Sequence, residues 1–231
     1  MNVNFKKAWA ISKINFRHLK AAYIITVCLM LTGVANLILI MTGLNVTSGI
    51  VDPGNYAYGA AIFAPIFIPA INFKKIMHLN GKKTDFFWGC LFNYIIIAAV
   101  VSFTDILVYI VTKNTCSSYG YVINLVQAFG WIAHGIVPAF FQQFFFILLF
   151  EIFIHTLTAM QNFWFGWVTD VALVAIISVF TPIPVLRSAL VWFFYMIIFN
   201  PTVMIQIISC IVLSAFLFAL YYLFILKEQR I

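Results

Sequence analysis

"NFKKIMHLNGKKTDFFW", residues 72–88, gathers Lys74, Lys75, Lys82 and Lys83 into one short stretch of a chain in which only 8% of residues are charged. The runs on both sides are apolar, so this basic island reads as a polar turn between two buried segments. Around it 65% of residues are hydrophobic, 26 of the 231 are Phe, and the mean hydropathy is +1.07. That is more apolar surface than a soluble domain of this length buries, and an integral membrane protein is expected. A hydrocarbon core of about 30 Å takes about 20 residues of helix, whose backbone satisfies its own hydrogen bonds. The alternation of a barrel strand is absent.

Outward from the island, residues 57–73 form the second span, kinked by Pro65 and Pro69 and carrying Ala60 and Ala64 at small-xxx-small spacing. Residues 22–44 form the first, too long for the apolar region of a secretory signal and without a small-residue cleavage site. Residues 86–111 form the third, with Thr84 or Asp85 placed to cap it. Pro138 divides an outer helical segment from the fourth span, residues 138–157. The fifth, 167–183, ends in "TPIP". Residues 185–199, bracketed by Pro184 and by Asn200 and Pro201, read as a helix or re-entrant piece in the outer leaflet. Residues 202–226 form the sixth span. The expected fold is an all-α integral membrane protein, a single domain over residues 1–231 of six transmembrane helices with an outer re-entrant segment between the fifth and sixth.

Lys and Arg near span ends favour the cytoplasm. Of the 13 such residues, only Lys113 and Arg187 fall outside. Lys6, Lys7, Lys13, Arg17, Lys20, the island lysines, Lys227 and Arg230 fall inside, so both termini are expected in the cytoplasm of a multi-pass cell-membrane protein. Trp88, Trp164 and Trp167 then mark the inner boundary, Trp131 and Trp192 the outer. Within residues 3–20, a helical turn of about 100° per residue puts Phe5, Ala8, Trp9, Phe16 and Leu19 on one face and Lys6, Lys13, Arg17 and Lys20 on an adjoining stripe. This is the pattern of an interfacial amphipathic helix on the inner leaflet. Ile11 and Ile14 fall off that face, toward a protein contact.

Motifs for resident chemistry are missing. "NGKKT" at 80–84 resembles the end of a phosphate-binding loop, but the pattern requires Gly where Ile76 stands. No HExxH or paired-cysteine metal pattern occurs. Cys28, Cys90 and Cys210 lie in spans and Cys116 outside, which implies no disulfide framework. Asn45-Val46-Thr47 matches a glycosylation sequon. No cofactor on this chain and no nucleic-acid partner are expected. The ionisable residues inside spans are Asp105, Glu151, His155 and Asp170, with His134 in the outer segment. Glu151 and His155 stand four apart on one helix face. With Asp170 they form a candidate intramembrane polar site, open to a proton relay, a metal pair or an interhelical hydrogen bond.

A basic amphipathic helix, six spans with both ends inside, a basic loop after the second span and an outer re-entrant segment together resemble the permease subunit of type-2 ABC exporters. The resemblance covers nearly the whole chain and rests on architecture, since the family has no short diagnostic motif. It implies that residues 74–85 form the cytoplasmic coupling loop, with Lys74, Lys75, His78, Lys82, Lys83 and Asp85 meeting a separate ATPase. It makes Phe5, Trp9, Phe16, Arg17 and Lys20 part of a connecting helix and puts a smaller contact at 155–166. Two ATPase copies would hold ATP and Mg. A second permease subunit, identical or related, would complete the path for a hydrophobic or amphipathic peptide, drug or similar cargo moving out of the bilayer. The Phe-rich "FFQQFFFILLFEIF" at 140–153 is the candidate cargo surface. Larger members carry an extracellular domain that this chain lacks. Other classes predict other features: the membrane subunit of an uptake system needs no long basic helix, a secondary transporter shows an internal repeat and a midplane charge, and an intramembrane enzyme needs convergent catalytic groups.

Overall fold

The structure is a computed structural model that describes residues 5–43, 49–116 and 121–226. The sequon, Lys227 and Arg230 lie outside the described residues. Helix α1 (Phe5–His18) leads into α2 (Lys20–Met41). A 3-10 turn (Pro53–Ala57), α3 (Tyr58–Phe67), a π-helical turn (Ile68–Asn72) and α4 (Phe73–His78) follow one another without a break. Helix α5 (Lys83–Cys116) is the longest. After α6 (Leu125–Ala128) and a 3-10 turn (Trp131–His134) come α7 (Ile136–Met160), α8 (Trp164–Phe180) and α9 (Pro184–Phe194). Helix α10 (Val203–Leu220) completes the set, and both α9 and α10 run on into π turns, Tyr195–Phe199 and Tyr221–Leu226.

By length and composition, 5 helical segments can cross a membrane: Lys20–Met41, Pro53–His78, Lys83–Thr115, Ile136–Met160 and Val203–Phe224. Trp164–Phe180 and Pro184–Phe199, bent by 116° at their break, raise the number to 6 if the pair counts as one span. The architecture is that of a helical, multi-pass membrane protein.

Prolines bend the second span without ending it. Pro65 and Pro69 remove the donors that the carbonyls of Ala61 and Pro65 would meet, and the helix widens into the π turn at Ile68–Asn72. Elsewhere the boundaries depart from the sequence reading. Phe86 N already bonds Lys82 O at 3.0 Å, so Thr84 and Asp85 sit inside the first turn of α5 and do not cap it. Pro138 lies in the first turn of α7, where a missing N–H costs nothing. The segment before it is two short turns preceded by β2 (Tyr121–Ile123), which pairs in parallel with β1 (Gly49–Val51), a small departure from an all-α fold. Trp131 is buried among Phe129, Phe146 and Ile198 and donates Nε1–H to Ile198 O at 2.8 Å, so it is part of the core at its end of the bundle.

Helix α5 runs through the centre, flanked by α1 and α7. One core, at the lysine-bearing end, holds Phe73, Phe86, Phe87, Tyr94, Phe218 and Tyr221, and the other, at the far end, holds Ile106, Trp131, Leu149 and Ile198. Three helices stay peripheral: α2 buries only Ala22, Thr26 and Gly33, α8 only Gly166, and α9 nothing.

Candidate functional site

Most of the expected loop 74–85 is helix. Lys74, Lys75 and His78 lie on α4, and Lys83 opens α5. The turn between is closed by Asn80 in the left-handed region (φ 57°), with Asn80 N on Met77 O and Gly81 N on Ile76 O, each at 3.0 Å. This pair of bonds is the Schellman arrangement, which satisfies the last carbonyls of a helix. A Cβ at Gly81 would stand 2.6 Å from Ile76 Cγ2 and 2.8 Å from Ile76 O, so only glycine fits. "NG" here is a helix stop. Phe73 and Phe86, both buried, meet edge to face with centroids 5.3 Å apart and staple the two helices. Lys74, Lys75, His78 and Lys82 are exposed and Lys83 half-buried, but Asp85 is buried at 1% exposure, which removes it from any docking surface.

Helix α1 lies along α5 with Ile11 in the contact and Phe5 and Trp9 outside it. It buries Ala8, Ile11, Ser12, Asn15 and, just beyond its end, Leu19. Phe5 and Trp9 remain 62% and 46% exposed, Phe5 tilted against Trp88 and Trp9 edge-on to Phe92, while Phe16 is half-buried and Arg17 and Lys20 are exposed. Gly89 permits the close approach: a Cβ there would be 2.8 Å from Ile11 Cγ2 and 3.1 Å from Ala8 O. Three asparagines then knot the helices together. Asn15 Nδ2 donates to Asn93 Oδ1 at 3.0 Å, Asn72 Nδ2 to Asn15 Oδ1 at 3.2 Å, and Asn93 Nδ2 to Ser12 O at 3.2 Å. Through these bonds α1 is tied to both arms of the lysine hairpin.

Deeper at the same end, the face shared by Glu151 and His155 is buried at 0% exposure. Tyr94 Oη and His155 Nδ1 are 2.6 Å apart, and the Tyr221 ring packs edge-on against the imidazole with centroids 4.4 Å apart. Tyr23 of α2 and Tyr94 of α5 stand within electrostatic reach of Glu151. Among the described residues, neither oxygen of Glu151, nor His155 Nε2, nor the hydroxyls of Tyr23 and Tyr221 has a hydrogen-bond partner. Asp170 does not join them. It accepts from Gln161 Nε2 at 2.7 Å beside the turn into α8, where Gly166 sits so close to Met160 O that no side chain fits. His134 lies exposed at the far end. Among the described residues no three His, Cys, Asp or Glu come together, so a metal pair finds no third ligand. The interhelical hydrogen bond is present at His155, while Glu151 remains a lone buried acid.

No family model, curated protein or solved structure matches this chain, and its own side chains carry the functional reading.

The other acid within a span, Asp105, belongs to a far-end network in which its carboxylate is fully partnered. It accepts from Gln143 Nε2 at 2.6 Å and Asn124 Nδ2 at 3.1 Å. Gln143 Nε2 also donates to Tyr58 Oη at 2.7 Å. Asp52, buried nearby, accepts from Gly54 N at 2.8 Å and Thr112 Oγ1 at 2.6 Å. Gly54 packs directly on Asp105, where a Cβ would collide with Oδ1. Gln142 donates to Gln206, whose own amide donates to Ile197 O at 3.1 Å. Gln142 and Gln143 are thus buried internal ties and not part of an exposed aromatic surface. An apolar groove of about 600 Å³ opens instead between α7, α8 and α10, lined by Phe153, Leu157, Met160, Phe165, Leu217 and Leu220. Glu151, His155 and Asp105 stand out in the sequence as ionisable residues in apolar runs. Tyr94, Tyr221 and the three asparagines do not, since their only signal is a polar group interrupting such a run.

Proposed function

We propose that this chain is the permease subunit of an ATP-driven type-2 ABC exporter, seated in the cell membrane with its lysine-bearing end and both termini in the cytoplasm. On this reading α8 is the fifth span, α9 the outer re-entrant helix and α10 the sixth span, while α1 lies in the inner interface. The observation that carries the proposal is the lysine hairpin. Stopped at Asn80 and Gly81, stapled by Phe73 and Phe86 and tied through Asn72 and Asn93 to α1, it is a stiff, cationic projection joined to two spans. A pump without a nucleotide-binding motif draws its work through a contact, and a stiff projection passes displacement to its helices where a floppy loop does not. Lys74, Lys82 and Lys83 then meet the ATPase, two copies of which hold ATP and Mg. The bare faces of α2 and α8 meet a second permease, identical or related. The apolar groove beside α8 supports lateral entry of a hydrophobic or amphipathic peptide, drug or similar cargo.

Vesicles holding the chain with a co-purified ATPase test this directly. ATP-dependent cargo movement that is lost in the Lys74→Gln/Lys82→Gln/Lys83→Gln variant, with insertion intact, is the expected result. Purification without any ATPase together with transport driven by an ion gradient would refute it. That outcome would favour a secondary transporter, a reading to which the unpartnered Glu151 in a span lends support.

A further inference from the structure

Lys75 and His78 of the hairpin share a pocket with α1. With His18 and Ile14 of α1, and with Asn72, Ile76 and the exposed Leu79, they line an open pocket of about 360 Å³ at the lysine-bearing end. No carboxylate is among its lining residues. Among the described residues, none of His18, Lys75 and His78 has an ion pair or a hydrogen bond through its side chain. Lysine offers an ammonium, and each imidazole offers a ring N–H whatever its protonation state. The floor carries Asn72, whose side chain is 2% exposed and whose Oδ1 is left without a donor by the knot.

From this geometry we infer that the pocket binds the phosphodiester of an anionic membrane lipid, with His18, Lys75 and His78 around the phosphate and Ile14 and Ile76 against the first carbons of the chain. Charge-assisted hydrogen bonds from several donors to one oxyanion give such a site its strength. Asn72 Oδ1 accepts a headgroup donor such as the hydroxyl of glycerol. Free phosphate supplies the same anion, but the apolar walls and the exposed Phe5 and Trp9 on α1 favour the lipid as its source. The site rests on α1 lying at the bilayer surface and is independent of the exporter assignment. It also divides the basic residues of the hairpin into a lipid-facing set, Lys75 and His78, and an outward set, Lys74 and Lys82.

The full chain, purified in neutral detergent, is titrated with phosphatidylglycerol or phosphatidylcholine, and bound lipid is counted by native mass spectrometry. One phosphatidylglycerol per chain is expected. Binding should weaken about tenfold or more in His18→Gln/Lys75→Gln/His78→Gln, the loss of at least one charged hydrogen bond, and about threefold in His18→Gln alone. Lys74→Gln/Lys82→Gln, which removes charge beside the pocket but not in it, should stay within about twofold of the native chain. All three pocket side chains are exposed, so folding is not at stake, and an unchanged melting temperature checks this. Equal retention by the native chain and the triple variant, or an equal loss in the control, overturns the site. Retention of phosphatidylcholine as tight as that of phosphatidylglycerol also overturns it. Full displacement by millimolar inorganic phosphate overturns the lipid as the source.

Discussion

Asp105 and Glu151 are both carboxylates held at 0% exposure inside apolar helices, yet their surroundings are opposite. Asp105 accepts from two side-chain amides, and each amide is itself tied to another element: Gln143 to Tyr58, and Asn124 through its Oδ1 to Val126 N at 2.8 Å. Glu151 has no donor among the described residues, although Tyr94, His155 and Tyr221 crowd the same space. Burying a polar group without a partner costs several times what a hydrogen bond returns. A satisfied acid is therefore part of what holds the helices together, while an unsatisfied one is there at the expense of stability. The bonds around Asp105 act as a frame, while the cluster at Glu151 and His155 holds polar groups in reserve.

The largest expected effect lies in the frame. Asp105→Ala strands the buried amide of Asn124, takes one of the two acceptors of Gln143 and leaves a void, so it should lower unfolding free energy by about 3 kcal/mol, read as the denaturation midpoint in micelles. Gly54→Ala pushes a methyl into the same carboxylate. Combined, the two changes should cost less than the sum of their separate losses, because both break one network. Strict additivity would mean that the far end is not a single unit.

The asparagine knot should rank next. Asn93→Ala removes the acceptor of Asn15 and the donor to Ser12 O, for a loss of about 2 kcal/mol. Unlike the loss at Asp105, this one should be local. Amide exchange across α1 should rise while the far end keeps its protection. Uniform loss of protection would tie the two ends more tightly than the contrast between Asp105 and Glu151 allows.

Why the spans are legible in the sequence and these networks are not lies in the distances involved. Span positions come from runs of apolar residues, and the observed 20–41, 83–115 and 203–224 lie close to the expected 22–44, 86–111 and 202–226 because hydrocarbon thickness acts on each run by itself. The knot joins Asn15 to Asn93, 78 positions away, and the Tyr94 to His155 bond spans 61. No local pattern encodes either. Helix α1 shows the limit most clearly. Helical periodicity sets Phe5 and Trp9 on the membrane face and Ile11 toward a protein contact, and α1 keeps those aromatics exposed and buries Ile11, but no pattern within the helix shows that Ala8, Ser12, Asn15 and Leu19 are buried with it. The hairpin departs from expectation for a related reason: four lysines look like solvent-exposed loop, yet Asn80 and Gly81 suffice to end one helix and let the next begin at Lys83.

A smaller effect is expected inside the reserve itself. Tyr94→Phe removes the hydroxyl opposite His155 Nδ1 and keeps the ring that packs beside it, for a loss of about 1 kcal/mol. His155→Phe should match it closely, since both changes delete the same bond, and the double variant should add little. A Tyr94→Phe variant as damaged as Asp105→Ala would show that this cluster is a frame too.

The smallest change in stability, and the one that separates the two ends most sharply, belongs to Glu151. Leu has nearly the volume of Glu, and Glu151→Leu deletes no hydrogen bond among the described residues, so nothing is left stranded. It also removes an ionisable group from an apolar interior, a replacement that is often neutral or stabilising by about 1 kcal/mol or more. The denaturation midpoint should therefore stay or rise. If the chain is the exporter subunit proposed above, a group kept at such a cost has its use in the working cycle, and ATP-dependent transport in vesicles should fall about tenfold or more in the same variant. Glu151→Gln separates charge from shape: if the carboxyl's proton matters, Gln fails as Leu does, and if only a polar contact matters, Gln restores transport. A Glu151→Leu variant that loses about 3 kcal/mol, as Asp105→Ala is expected to do, would mean that Glu151 is held by a partner of its own, and the contrast between the two ends would fail.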